Sequence, residues 1–445
     1  MPNRMLYLVN KLCITTAILI TLNNTLVYSS SDTAKSYKFL EVTHVEKIIE
    51  PDSLTLTAIA QIEVSSKYAA LYDNRKSEVH VYMLNGSHKY SLFGSDSLVD
   101  IFANTQPCIF KGYSYIAPHL DKDVDGNKIP NEFINTYLRN KFMYSTFENT
   151  DLYTVSGISY YCVDTTSSNR GKDNARNGEF FSITKSTLEN NYVTKSLHTG
   201  FISNGWADSC LALKYSFYPS PNKGTIAFFN DDTLVIPLSF HLTSKAFEIS
   251  NLNDTIYTLA MYNLNTGKWK EFEPLPIEYI NSKIAYKRNS WINIFPLVNK
   301  KTRNIYYTTS LLPQVNIVNN RFFKLKGFEN KNSSFFELCK SNDLKSKQIN
   351  PLDSINFMIT GCKIHSDNLI VYGIDNYNYK SINQQIWFIQ EYTDRGELIK
   401  DYRLPNLISG YNISAITYSA ELMNYIAVAQ DSSKEWFLIF LSEKY

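Results

Sequence analysis

Three stretches of the chain share one pattern of apolar and polar positions. Residues 256–276 (IYTLAMYNLNTGKWKEFEPLP) run apolar through Ile256, Leu259, Ala260, Met261 and Tyr262 and break at Asn265-Thr266-Gly267. They resume with Trp269 and Phe272 until Pro274 and Pro276 stop the run. Residues 79–94 (VHVYMLNGSHKYSLFG) and 386–405 (IWFIQEYTDRGELIKDYRLP) repeat the plan. In each, a tyrosine (Tyr82, Tyr262, Tyr392) precedes a turn glycine (Gly86, Gly267, Gly396), and an aromatic (Tyr90, Phe272, Tyr402) follows it. Strand, tight turn, strand accounts for the pattern, and Asn85-Gly86 is its strongest turn signal.

The remaining apolar runs are short and bounded by polar turns. Strands are expected over residues 37–49, 55–64, 68–72, 98–117, 180–183, 210–217, 225–229, 233–238, 282–298, 305–312, 316–325, 355–364 and 368–374. Asn230-Asp231-Asp232 marks a hairpin turn, so its carboxylates need no catalytic role. Residues 167–178 and 328–350 read as polar loops. Residues 120–150 hold an Asp/Asn/Lys run and then a helix-like segment with Ile134, Tyr137, Leu138 and Phe142 on one face.

Recurrent hairpins of one design predict an all-β chain folded as a β-propeller, with one small helical insertion that carries a calcium-loop-like sequence. Gly86 and Gly267 lie 181 residues apart, and Gly267 and Gly396 lie 129 apart. Three and two blades of roughly 60–65 residues fit those gaps, which gives six blades, or seven if some are compact. Residues 37–49 are expected to complete the blade begun by residues 425–429 and 435–441, removing an exposed sheet edge. A pair of β-sandwiches is the competing architecture. No Gly/Ser-rich linker or composition break appears, so residues 30–445 read as one domain.

Composition changes the picture in three places. Aromatic residues make up 14% of the 445, with 32 Tyr and 26 Phe, which suits pleated surfaces. Residues 1–29 read as a secretory signal: Arg4 and Lys11, an apolar core over residues 13–22, and a small residue at Ser29. That core is too short to span a bilayer, which takes about 20 residues. Without the two basic residues of this segment, 42 Lys and Arg face 42 Asp and Glu. A neutral chain with no basic cluster offers no electrostatic basis for nucleic acid or an anionic membrane. Five cysteines remain (Cys108, Cys162, Cys210, Cys339, Cys362), with no CxxC spacing. Either one or two disulfides form, Cys339–Cys362 closing the shortest loop, or these are small buried apolar residues.

The hairpin MYNLNTGKWKEFEPLP within residues 256–276 resembles the kelch motif: a Tyr-bearing strand, a turn, a Trp and a Pro-ended segment. It lacks the paired glycines of a kelch repeat. The wider pattern, with its signal and hairpins such as SEVHVYMLNGS and TDRGELIKDY, resembles the six-bladed propellers exported by Bacteroidetes-type bacteria, domains of unknown function. The resemblance spans residues 37–445 and implies a propeller fold outside the cytoplasm, in the periplasm, at the cell surface or beyond it. It implies no active site.

The sharpest local signal for chemistry is residues 121–132, DKDVDGNKIPNE. Asp121, Asp123 and Asp125 alternate, Gly126 allows the sharp turn, Asn127 offers its carbonyl and Glu132 both carboxylate oxygens. A hard cation takes six to eight oxygens, so calcium is the expected cofactor, in a structural role. Lys128 at the eighth position and the strand-like segment before the loop depart from a full EF-hand. The seven histidines show no HxH or HExxH spacing, and His80, between Val79 and Val81, is expected on a sheet face. No GxSxG, GxGxxG or P-loop occurs. Residues 198–206 (HTGFISNGW) read as a loop whose aromatics pack between blades or stack on a sugar. Asn85, Asn253, Asn332 and Asn412 head N-x-S/T sequons.

The sequence therefore predicts an exported, monomeric binding or interaction module whose partner, a protein or a glycan, meets loops at one face or the channel mouth. A glycan-active hydrolase or lyase, with carboxylates around the channel, is the competing enzyme reading. A structural envelope protein is the third.

Overall fold

The structure is a computed structural model. It describes residues 40–76, 78–92, 113–116, 141–164, 175–189, 193–202, 215–216, 225–240, 257–282, 292–319, 321–340, 354–377 and 384–443. The chain divides into two compact units, Met1–Tyr37 and Lys38–Tyr445, and every described element belongs to the second. That unit is a six-bladed β-propeller of antiparallel sheets.

Four strands in sequence order form each of four blades. The first blade takes Ile59–Val64, Tyr68–Asp73, Glu78–Met83 and His88–Leu92. The third takes Ala227–Asn230, Thr233–Pro237, Tyr257–Asn263 and Trp269–Pro274. The fourth takes Ile294–Val298, Ile305–Thr309, Gln314–Ile317 and Arg321–Lys324. The fifth takes Phe357–His365, Asn368–Asp375, Ile386–Tyr392 and Leu398–Pro405. The second blade is larger: Lys141–Glu148, Asp151–Asp164, Ala175–Thr187 and Val193–Ile202, with Tyr113–Ile116 also paired to Asp151–Asp164. Tyr215–Ser216 and Ser239–Phe240 make a separate two-stranded ladder.

The sixth blade closes the ring. Tyr411–Ser419, Asn424–Gln430 and Trp436–Glu443 supply three strands, and Leu40–Lys47, from the opposite end of the chain, pairs with Trp436–Glu443 in antiparallel register. The expected closure by residues 37–49 is what the structure shows. An apolar cluster then welds the sixth blade to the first, with Ile62, Leu71 and Tyr82 against Ile426, Val428, Trp436 and Leu438. Similar clusters fill the other seams. The turn of the first blade abuts the closing segment: Gly86 has φ +77°, and a Cβ there would lie 2.0 Å from the Lys47 carbonyl oxygen. Only glycine fits, and the Ile49 amide donates to the Gly86 carbonyl at 2.9 Å.

The three signature hairpins are the outer halves of the first, third and fifth blades, with Tyr82, Tyr262 and Tyr392 buried. Each gap between their glycines thus holds two blades, not the expected three and two. The first gap is longer because the second blade, with strands of 14, 13 and 10 residues, falls within it.

Other expectations need correction. Residues 175–178 are strand, paired with Asp151–Asp164, where a loop was predicted. Phe142 lies in the strand Lys141–Glu148 rather than a helix. Of the strand expected over 282–298, the structure describes Ile294–Val298 as strand, and residues 283–291 lie outside the described residues. The polar stretch 328–350 contains a helix, Ser333–Lys340, that buries Phe335, Phe336 and Cys339. Those three positions share one helical face, and their signal was masked by Lys, Asn and Ser around them. Asn332, just before it, is 1% exposed. Its Nδ2 donates to the Leu311 and Phe357 carbonyls at 2.9 and 2.8 Å, and its Oδ1 accepts from the Asn356 and Phe357 amides at 3.0 and 3.2 Å. This amide joins the fourth and fifth blades, so the sequon it heads is closed to glycosylation.

Cys339 and Cys362 are free buried thiols, not a disulfide. Cys362 accepts from Thr308 Oγ1 at 3.5 Å and donates to the Phe295 carbonyl at 3.4 Å. Burial pushes its thiol up to about 12, so it stays protonated and inert.

Removing Leu40–Lys47 leaves the edge of Trp436–Glu443 unpaired. A chain lacking these residues is expected to lose the single cooperative thermal transition of the parent, read by circular dichroism. A melting curve that superimposes on the parent's contradicts closure by this strand.

Candidate functional site

The first strands of neighbouring blades lie against one another around the axis. In five blades this inner strand slips register by one residue, a β-bulge: at 59/61, 142/144, 228/230, 359/361 and 413/415. A bulge leaves one residue unpaired and re-aims its side chain. In the first, fifth and sixth blades the unpaired residues are Ala60, Thr360 and Ser414. All three line one axial cavity, with Gln61, Glu63, Thr225 and Tyr372.

Three positions beyond each bulge stand Glu63, Lys363 and Thr417. Glu63 is 2% exposed, and its Oε2 accepts from Lys363 Nζ at 2.5 Å across the ring. Gln61 Nε2 donates to the other carboxylate oxygen at 3.3 Å. Thr417 Oγ1 meets the Tyr372 hydroxyl at 3.3 Å. Burial, with the Glu63 charge beside it, holds the Tyr372 phenol well above its ordinary range, so it remains neutral. Gly361 makes room for that ring: a Cβ there would lie 2.5 Å from it.

The cavity measures about 10 Å³. Room for one water takes about 10–15 Å³, whereas small-molecule pockets run about 300–1,000 Å³. The axis at this level is plugged. Glu63 is its carboxylate among the described residues, and Lys363 already neutralises it. Acid–base hydrolysis of a glycoside uses two carboxylates about 5–9.5 Å apart, and the described inner strands present no second one to this cavity. Sequence reading missed Glu63 and Lys363. Their signal was the single acidic residue in Ile59–Val64 and the single Lys in Phe357–His365, but nothing local links residues 300 positions apart.

A second cluster lies in the first blade. His80 is fully buried, its Nδ1 is 2.8 Å from Ser91 Oγ, and its Nε2 is 3.4 Å from Glu78 Oε2. His88 Nε2 reaches the same hydroxyl at 3.0 Å. The residue types match a nucleophilic triad, but the chemistry does not. Burial, opposed by Asp73 and aided by Lys76 and His88, brings His80 down to about 4. Such an imidazole is a weak base at neutral pH, and no substrate reaches a fully buried ring. His80 was expected on a sheet face; that face is packed, and Val79, His80 and Val81 are all buried.

The calcium-loop residues Asp121, Asp123, Asp125, Asn127 and Glu132 lie outside the described residues, as do residues 203–206. His198 and Phe201 belong to the strand Val193–Ile202 rather than a loop. Among the described residues no three His, Cys, Asp or Glu side chains group as metal ligands, and no helix is long and apolar enough to cross a membrane.

His80 ties stability to pH. Its folded value lies below its ordinary 6.5, so the unfolded chain takes up the proton first. The stabilisation is complete above pH 6.5 and lost as pH falls toward 4. Between pH 7.5 and 4.5 about 2.5 kcal/mol should disappear. Urea titrations are expected to show that loss in the parent and a shallower one in His80→Gln. Equal losses in both would remove His80 as the cause.

No known family model matches the chain, and no curated protein matches it in sequence. Among solved structures it is similar to a member of the DUF4221 family from Bacteroides vulgatus. Identity is 9% and the TM-score 0.46, over 92% of this chain and 99% of that one. It is also similar to a Bacteroides fragilis protein inferred to be exported, at 11% identity and TM-score 0.43, over 94% and 98%. A sialidase of Trypanosoma rangeli matches at 8% and TM-score 0.39, over 91% of this chain and 58% of that one. Likeness at this level carries no activity across to the present chain.

Proposed function

We propose that the protein is an exported binding module, and that its partner, a protein or a glycan, meets loops at one end of the ring. One observation carries this reading: the axis at the level of Glu63 has space for about one water. A ligand of glycan size has no room there, and the charge that would greet it is already paired with Lys363 at 2.5 Å. Loop faces are where propellers leave backbone and side chains free to vary without disturbing the blades. Residues 1–29 support export by their charge and apolar pattern.

The test sets binding against turnover. Soluble polysaccharides and a glycan panel are offered to the parent and to Glu63→Gln, with binding read by calorimetry and release of reducing ends read by colorimetry. Binding without release, equal in both, is the expected result for a glycan ligand. Absence of both directs the search to a protein partner. Release of reducing ends that Glu63→Gln abolishes would sink the binding-module reading and favour a glycan-active enzyme.

Calcium at Asp121, Asp123, Asp125, Asn127 and Glu132 is proposed as a structural site on the insertion before Lys141–Glu148. Its support is the alternation of carboxylates around Gly126. Calorimetric titration is expected to show one site that Asp123→Asn weakens at least tenfold; no heat at millimolar calcium rules it out.

A further inference from the structure

The axial cavity contains a polar atom with no partner in the protein. Thr225, two residues before the inner strand of the third blade, is 6% exposed, and its Oγ1 makes no hydrogen bond. A buried hydroxyl without a partner is destabilising, and native interiors rarely keep one. Thr225 lines the same cavity as Thr360 and Ser414, the bulged residues of the fifth and sixth blades. Thr360 Oγ1 donates to the Tyr372 carbonyl at 3.4 Å, which leaves its lone pairs available. Three hydroxyl-bearing residues from three blades therefore line a space the size of one water molecule.

The occupant's chemistry follows from charge and size. Glu63 is matched by Lys363 at 2.5 Å, so the cavity carries no net charge to attract an ion. A calcium or magnesium ion needs about six oxygen ligands with carboxylates among them, and the one carboxylate lining this cavity is already paired with Lys363. An apolar occupant would leave Thr225 Oγ1 unsatisfied. We propose that a single water molecule occupies the ring axis, takes the Thr225 hydroxyl as a partner and bridges the third blade to the bulges of the fifth and sixth. The bulges then act as a built water site that joins non-adjacent blades across the axis.

The sign of one substitution tests this. Thr225→Val keeps the shape and removes the hydroxyl. With a water in place, the change strips it of a partner, and Tm should fall by about 2 °C. With the cavity dry, the change removes an unsatisfied group, and Tm should hold or rise, which overturns the proposal. A high-resolution crystal structure is the second measurement. Density for one water within hydrogen-bond distance of Thr225 Oγ1, retained in Thr225→Ser, supports it. An empty site overturns it whatever the Val variant does. A Tm that depends on which cation is present would also overturn it, by making the occupant an ion.

Discussion

The pairing of Leu40–Lys47 with Trp436–Glu443 is the constraint on which the rest of the ring depends. A sheet edge left open exposes a row of unpaired amides and carbonyls, and the outer strand of a last blade has no successor in sequence to cover them. Here the covering strand comes from the other end of the chain. Every seam then has an apolar cluster on both sides, and no blade can move without disturbing two neighbours. The contact of Gly86 with the Lys47 carbonyl shows how tightly the first blade holds the closing segment. On the other flank, Lys400 and Tyr402 of the fifth blade both reach the Glu443 carboxylate beside the start of that segment.

Closure also accounts for what fills the axis. The inner strands of the first, fifth and sixth blades, with Thr225, leave a small cavity between them. Bulges at Ala60, Thr360 and Ser414 turn residues into that gap, and Glu63 and Lys363 bridge it. A buried pair of this kind is weak evidence of net stability, because desolvating both charges offsets much of their attraction. Its clearer effect is on register. If either strand slipped by one residue, its charge would pass to the opposite face of the sheet and leave the other buried alone.

How much of this was legible in the chain depended on how local each cause is. The hairpins at Tyr82, Tyr262 and Tyr392 could be read because turn chemistry and alternation act within twenty residues, and closure could be read because both end segments looked like unpaired strands. The helix Ser333–Lys340 was hidden by polar neighbours, although Phe335, Phe336 and Cys339 carry its spacing. The bulges could not be read, because a bulge is a relation between two strands. Asn332 looked like a sequon because its motif is local, while the four backbone groups it satisfies come from segments 21 to 25 residues away.

These same limits separate fold from function in this protein. The core positions that define the blades say how the ring stands up, and their chemistry is spent on one another. His80, Tyr372 and Cys362 are all held in their neutral forms by burial, and Glu63 is held by a lysine. Groups so engaged have little left with which to act on a ligand. A polar cluster at the centre of a molecule invites a catalytic reading, but charge already paired and space for one water argue that this one serves the ring. The loops between strands are under no such demand, because the blade geometry leaves their sequences unconstrained.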